Sequence, residues 1–358
     1  MLLSYSKRCV ALSSGRSAAA AAGMACIVRH SRRSPVTTCS ATADDKFAGY
    51  KPTIAALFPG QGAQSVGMAK ELAAEVPAAK ALFDRASAIL GYDLLQLCVE
   101  GPKEKLDLTA ISQPAIYVSS LAAVEKLRSS EGGQAILDSI DVAAGLSLGE
   151  YTALTFAGAL SFEDGVRLVQ LRGESMQAAA DAQPSAMVSV IGLDAEQVQL
   201  LCEAATAEVG ADKAVTIANF LCPGNYAVSG SKEGCDAVVK LGKSFKARMT
   251  VRLAVAGAFH TQYMAPAVER LQQALANTPI QTPRIPVISN VDAAPHSDPD
   301  TIRAILAKQV TNPVLWEKST KALLEAGLTR SYEIGPGKVI AGIVKRIDKA
   351  HEVVNILA

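Results

Sequence analysis

Ser147 stands between Gly145 and Gly149 in the run Asp141-Val-Ala-Ala-Gly-Leu-Ser-Leu-Gly-Glu150. This G-x-S-x-G spacing is that of a nucleophile elbow, in which small neighbours let a strand break sharply into a helix and leave a hydroxyl exposed on strained backbone. A serine there also meets a helix N-terminus, where unpaired N–H groups and the dipole favour developing negative charge. At neutral pH the hydroxyl needs a base. Four histidines are present, at 30, 260, 296 and 351. His296 sits in the loop-like Ala-Pro-His-Ser-Asp-Pro and His351 in a polar stretch near the terminus. His260 follows the apolar run Val255-Ala-Gly-Ala-Phe259 at the mouth of an expected helix, so it is the best candidate base. A structural histidine capping that helix is the other reading.

Strand and helix patterns must position these groups. Thr53–Phe58 is a short apolar run followed by the loop Pro59–Gly67 and helical spacing over 68–90. Gly60-x-Gly62-x-x-Ser65 lacks the third glycine of a dinucleotide fingerprint, so it reads as a tight turn or as a loop whose Gln61 amide faces an oxyanion. Helical spacing recurs over 112–127, with Pro114 in a first turn, and Gly132-Gly133 breaks it. Helices are expected over 149–157 and 162–180, the second carrying Arg167 and Arg172. Residues 186–253 then alternate as strand, helix, strand, strand, helix, strand. That order is a split-βαβ, ferredoxin-like arrangement, inserted over residues 184–254. Beyond it come a helix opening at His260, a strand over 285–290, helices over 301–310 and 317–326, a strand over 330–334 and a last helix over 338–347.

Composition narrows the function classes. The chain has 358 residues, 49% of them hydrophobic, enough for a large core, yet no apolar run reaches the roughly 18 residues of a membrane span. Seven cysteines show no zinc-site spacing, and an odd number argues against a disulfide framework. Residues 1–43 contain no Asp or Glu, six Lys/Arg and abundant Ser and Ala, the composition of an organellar transit peptide. The leader, taken as disordered residues 1–49, leans to the plastid (chloroplast stroma), with the mitochondrial matrix as the alternative. Without those six cations, 29 basic residues face 34 acidic ones, a net of −5 that argues against a general nucleic-acid binder.

A family resemblance joins these pieces. Phe-Pro-Gly-Gln-Gly-Ala-Gln (58–64), Gln113-Pro114, Gly-Leu-Ser-Leu-Gly-Glu-Tyr (145–151), Leu-Arg-Gly (171–173), Ala-Asn-Phe-x-x-Pro-Gly (218–224), Gly-Ala-Phe-His (257–260), Asn-Pro-Val-x-Trp (312–316) and Glu-Ile-Gly-Pro-Gly-Lys-Val (333–339) occur in this order. Together they resemble the malonyl-CoA:acyl-carrier-protein transacylases of dissociated fatty-acid synthases. The resemblance implies an α/β fold: an α/β-hydrolase-like catalytic body over 50–183 and 255–358 carrying the ferredoxin-like small subdomain. It implies Ser147 as acyl-bearing nucleophile and His260 as general base. The main-chain N–H groups of Gln61 and Leu148 would form the oxyanion hole. Arg172 would clamp the free malonyl carboxylate, Asn219 and Phe259 would border the acyl group, and the Gln309 carbonyl would orient the histidine.

Two departures stand out: Leu146 where the family commonly has His, and Leu221 where many relatives have a second Asn. The expected partners are malonyl-CoA and an acyl carrier protein, met by a monomer with no cofactor, no metal, no nucleic acid and no membrane. Between Asp236 and Glu269 there is no acidic residue, so Lys240, Lys243, Lys246, Arg248 and Arg252 form a candidate docking surface for an acidic carrier protein; ordinary solvated positions are the alternative. A serine hydrolase would use the same elbow but needs an acidic partner for its base and no carboxylate clamp. A non-catalytic nucleotide- or acyl-CoA-binding module would not need Ser147 at all.

Overall fold

Strand β1 (Ile54–Phe58) is buried along nearly its whole length, as its unbroken apolar run requires of a central parallel strand. The computed structural model describes residues 45–358, so the leader up to residue 44 lies outside the described residues. Residues 45–49, assigned above to the leader, instead join the body. Phe47 is buried, and Lys46 donates from Nζ to the Pro283 carbonyl at 2.6 Å.

In chain order, β1 is followed by α1 (Lys70–Glu75), α2 (Pro77–Leu90), α3 (Leu94–Glu100), α4 (Lys103–Leu106), α5 (Thr109–Ser129) and α6 (Gly133–Ser139). Then come β2 (Val142–Gly145), α7 (Leu148–Phe156) and α8 (Phe162–Ala182). The middle of the chain supplies β3 (Ser185–Ile191), α9 (Ala195–Val209), β4 (Val215–Cys222), β5 (Asn225–Ser231), α10 (Lys232–Leu241) and β6 (Met249–Arg252). Last are α11 (Ala265–Ala276), β7 (Val287–Ile288), α12 (Pro299–Gln309), α13 (Trp316–Glu325), β8 (Arg330–Gly335), α14 (Val339–Ile347) and β9 (Glu352–Leu357). Among the described residues no helix is long and apolar enough to cross a membrane.

Two sheets result. The larger is parallel, in the order β7-β2-β1-β8-β9. Successive residues of β1 point into opposite layers, with Ala56 and Phe58 in a cluster with α2, α5 and α8, and Ala55 and Leu57 in one with Trp316, Leu323 and Ile340. Phe58 pairs with Gly145, so the loops after β1 and β2 leave the same edge of the sheet side by side. That edge, beyond the carboxyl ends of the strands, is where open α/β sheets place their ligands. The smaller sheet is antiparallel, in the order β4-β5-β3-β6, with α9 and α10 over one face. It joins the body where Phe220 and Val314 N–H donate to the carbonyls of Val314 and Ala218, at 2.9 and 2.8 Å respectively.

Several elements differ from expectation, each for a local reason. The helix expected over 68–90 is two, broken at Val76, whose extended backbone is what the following Pro77 requires. Helix α5 begins at Thr109, so Pro114 lies inside it; its first turn is held by close packing on α8, where an added Cβ at Gly173 would meet the Thr109 carbonyl at 2.7 Å. His260 itself is not helical, with φ 60°; a 3-10 turn begins at Gln262 and runs into α11 at Ala265. Only Val287 and Ile288 of the expected 285–290 strand pair. Helices α3, α4 and α6 and strand β9 were not expected.

The elbow glycines are close-packed. A Cβ at Gly145 would lie 1.9 Å from the Gly149 carbonyl, and one at Gly149 would lie 2.1 Å from the Phe58 carbonyl. Backbone cannot yield there as a flexible side chain would. Gly145→Ala and Gly149→Ala should each destabilise by about 3 kcal/mol or more. Gly342→Ala, in α14 with nothing within 4 Å, should stabilise by about 0.5–1 kcal/mol. Thermal unfolding of the three variants checks this, and equal midpoints would refute it.

Candidate active site

The break between β2 and α7 places Ser147 at φ 53° and ψ −100°, a conformation costly for any residue with a Cβ. The side chain of Asn290, at the end of the short β7 segment, holds it there. Asn290 Oδ1 accepts from the Ser147 N–H at 2.6 Å, and its Nδ2 donates to the Gly145 carbonyl at 2.8 Å. His260 lies eight residues beyond the end of β6 and is also left-handed. Its main chain is fixed next door, where Ser229 Oγ donates to the Phe259 carbonyl at 2.9 Å.

Ser147 Oγ and His260 Nε2 are 2.8 Å apart. His260 Nδ1 lies 2.8 Å from the Gln309 carbonyl, which can only accept, so Nδ1 carries the proton and Nε2 faces the serine as acceptor. Among the described residues no carboxylate touches the ring. Burial, then the Arg172 charge, pulls His260 down to about 4, so at neutral pH it is an unprotonated base. The acid limb of acylation should therefore centre near 4, with a flat rate through 6.5, the ordinary histidine value. A pH series of kcat/KM with acetyl-CoA measures it. A midpoint at 6.5 would show that the imidazole is solvated.

Arg172 on α8 is only 1% exposed. Its Nη2 donates to Ser147 Oγ at 3.0 Å and to Gln309 Oε1 at 2.9 Å, and its Nη1 donates to Gln113 Oε1 at 2.8 Å. The guanidinium lies 5.4 Å from the centroid of the Tyr151 ring, and its Nε has no hydrogen-bond partner among the described residues. A planar cation thus sits beside the Ser147 hydroxyl, with a fork suited to a carboxylate. Gln309, at the end of α12, uses both ends: its carbonyl holds the histidine, and its amide Nε2 donates to the Ser147 carbonyl at 3.0 Å and to Glu150 Oε2 at 2.7 Å.

The other expected residues surround one cavity of about 230 Å³. Gln61, Leu148, Asn219 and Phe259 line it with Ser147, Arg172 and His260. Leu148 is the first residue of α7, so its N–H points out of the helix start. The Gln61 side chain turns away: its Nε2 donates to Thr109 Oγ1 at 3.3 Å, which leaves only its main chain as a candidate oxyanion donor. Leu146 and Leu221, the two departures, both face the cavity beside Val339 and Ile343 and give it an apolar wall. Three residues without an expected role belong to the framework: Gln113, Asn290 and Glu150. Gln113 and Glu150 lie inside the motifs quoted above, but nothing local marks Asn290.

The basic surface is less uniform than the sequence implies. Lys240 pairs with Glu208 of α9 at 2.5 Å, and Arg252 pairs with Asp236. Lys243, Lys246 and Arg248 are exposed, with no ion pair among the described residues.

Residues 56–355 match the family model described as "Acyl transferase domain". The malonyl CoA-acyl carrier protein transacylase of Bacillus subtilis (strain 168) is 42% identical over 83% of this chain and 90% of its own length. The mitochondrial malonyl-CoA-acyl carrier protein transacylase of Homo sapiens is 40% identical over 84% of this chain and 80% of its own. Among solved structures, the corresponding transacylase from Coxiella burnetii superposes with a TM-score of 0.79 at 37% identity, covering 86% of this chain and 94% of that one. With the match spanning nearly all of the described residues, the chain belongs to the acyl transferase family, among the malonyl-CoA:acyl-carrier-protein transacylases.

Proposed function

We propose that Ser147 relays a malonyl group from malonyl-CoA to the phosphopantetheine thiol of an acyl carrier protein, supplying fatty-acid synthesis. The observation that carries this reading is Arg172, a buried cation 3.0 Å from the nucleophile oxygen. His260 Nε2 takes the Ser147 proton as Oγ attacks the thioester carbonyl. The main-chain N–H groups of Gln61 and Leu148 receive the oxyanion, where losing one donor typically costs about 10²–10³ in rate. The C–S bond then breaks, and the imidazolium returns its proton to the departing CoA thiolate. The carrier thiol repeats the sequence in reverse, which makes the kinetics ping-pong. Arg172 holds the free carboxylate, while Asn219 and Phe259 bound the acyl chain. A main-chain carbonyl behind His260, with no carboxylate there among the described residues, favours this transfer over a serine-hydrolase reading.

The experiment is intact-mass analysis of the mature protein, mixed first with malonyl-CoA and then with holo-carrier protein. A malonyl adduct should form and then discharge. Absence of the adduct, or an adduct that the carrier leaves in place, rejects the relay.

Three finer readings accompany it. The parallel body reads as α/β-hydrolase-like and the 184–254 insert as ferredoxin-like; the βαββαβ chain order and the β4-β5-β3-β6 sheet order support the second. The carrier docks at Lys243, Lys246 and Arg248, with Lys240 less available because of Glu208. Charge reversal at Lys243 and Lys246 should raise KM for carrier protein severalfold and leave KM for malonyl-CoA unchanged; an unaltered carrier KM rejects the patch. The destination is organellar, and the human relative's mitochondrial name favours the matrix over the plastid stroma.

A further inference from the structure

The proposed chemistry uses no carboxylate, yet Glu150 lies one helical turn from Ser147 and is only 3% exposed. Its Oε2 accepts from Gln309 Nε2 at 2.7 Å and from the Asn290 N–H at 3.0 Å. The Gln309 amide nitrogen also donates to the Ser147 carbonyl. With acceptors on both its N–H bonds, the amide must turn its oxygen toward Arg172, and it does so at 2.9 Å. One amide dipole therefore bridges a buried anion and a buried cation across the elbow. A buried ion without a compensating charge is costly, so each of the two stabilises the other's charged form.

Burial pushes the Glu150 carboxyl up to about 7; the Gln309 and Asn290 bonds and the Arg172 charge oppose that rise, and Asp292 adds to it. The charged and titratable groups facing it are Arg172 from α8, Asp292 after β7 with its partner His296, and Tyr151 beside it on α7.

We propose that Glu150 is a positioning residue that adds to acyl selectivity: a carboxylated acyl group seated on Arg172 replaces Glu150 as the guanidinium's counter-charge, and Glu150 then takes up a proton from solvent, whereas an acetyl group leaves its protonation unchanged. The inference rests on reading Arg172 as the carboxylate clamp. Both hydrogen bonds to Glu150 fall on Oε2, so Oε1 is the atom that accepts the proton, and the framework need not move. The proton leaves again when the malonyl group does.

The sign follows from linkage. The malonyl complex has the higher Glu150 pKa, so malonyl binding is strongest below the free value and weakens as pH rises through the bound value, by at most about tenfold per pH unit. Acetyl binding has no such slope.

The test is titration calorimetry on the full-length Ser147→Ala protein, which cannot turn over, in two buffers of different ionisation enthalpy. Because the free carboxyl lies at about 7, malonyl-CoA should take up about half a proton per site at neutral pH and acetyl-CoA none. Adding Glu150→Gln should remove the uptake. Preferential malonyl binding without uptake, or uptake that survives Glu150→Gln, overturns the inference and leaves the clamp standing. Equal affinity for the two thioesters overturns the clamp and this inference with it. If the double variant does not fold, the pH series on Ser147→Ala decides: a malonyl-to-acetyl affinity ratio that falls severalfold over one pH unit above neutral supports the role, and a flat ratio overturns it.

Discussion

Ser147→Ala should yield no acyl adduct and lose about 10⁴-fold or more of malonyl transfer, while folding as the parent does. The rate loss is large because nothing else within reach can replace the oxygen. His260 Nε2 faces that hydroxyl at 2.8 Å, and among the described residues no second hydroxyl or thiol is bonded to the ring. Stability should hardly change, for three reasons. Alanine keeps the Cβ, so the backbone cost at φ 53° is the same in both proteins. Arg172 keeps its bonds to Gln309 and Gln113, and His260 keeps its bond to the Gln309 carbonyl. The turn is fastened by Asn290 through main-chain atoms that alanine retains. Intact-mass spectra with malonyl-CoA, beside thermal unfolding, measure both halves. An adduct persisting on the alanine protein would place the chemistry on another residue.

How much of this site the sequence could disclose depends on the range of the interactions. Ser147 and its glycines are a local device: the steric demand that selects Gly145 and Gly149 arises within five residues and one neighbouring strand, so a short motif carries it. Strands β1 and β2 were legible as continuous apolar runs because both of their faces are buried. The small sheet was legible because six elements in the order strand, helix, strand, strand, helix, strand permit few topologies. Asn290 and Glu150 were not, because the bond that joins them spans 140 residues and leaves no periodicity or spacing in either segment. The same holds for the basic surface, where Glu208, 32 residues upstream, neutralises Lys240 from the adjacent helix. Strand β9 escaped for a different reason: as a half-exposed edge strand it has neither a continuous apolar run nor clean alternation.

Arg172→Ala should reverse the preference between acyl donors, cutting kcat/KM for malonyl-CoA by about 10²–10³-fold more than that for acetyl-CoA. The magnitude follows from the cost of leaving one member of a buried charge pair unpaired, about 3–5 kcal/mol, at 1.4 kcal/mol per factor of ten. Some of the damage must be common to both donors. Removing the guanidinium leaves the oxygens of Gln113 and Gln309 without their donor, frees Ser147 Oγ from its 3.0 Å contact and opens a void against Tyr151. Those losses act on the nucleophile before either acyl group arrives, so they divide out of the malonyl-to-acetyl ratio, and the ratio is the quantity to measure. The fold should survive the loss of a buried cation, because Glu150, with its carboxyl already pushed up to about 7 by burial, loses a lowering influence and becomes a neutral acid at physiological pH. Arg172→Lys separates charge from shape. A lysine keeps the attraction for a carboxylate but has one nitrogen where the guanidinium bonds through two, so it cannot hold Gln113, Gln309 and Ser147 together. Its ratio should fall between those of the parent and the alanine protein. Equal losses for the two donors in both variants would mean that Arg172 only braces the elbow, and the substrate would then have to be recognised elsewhere in the cavity.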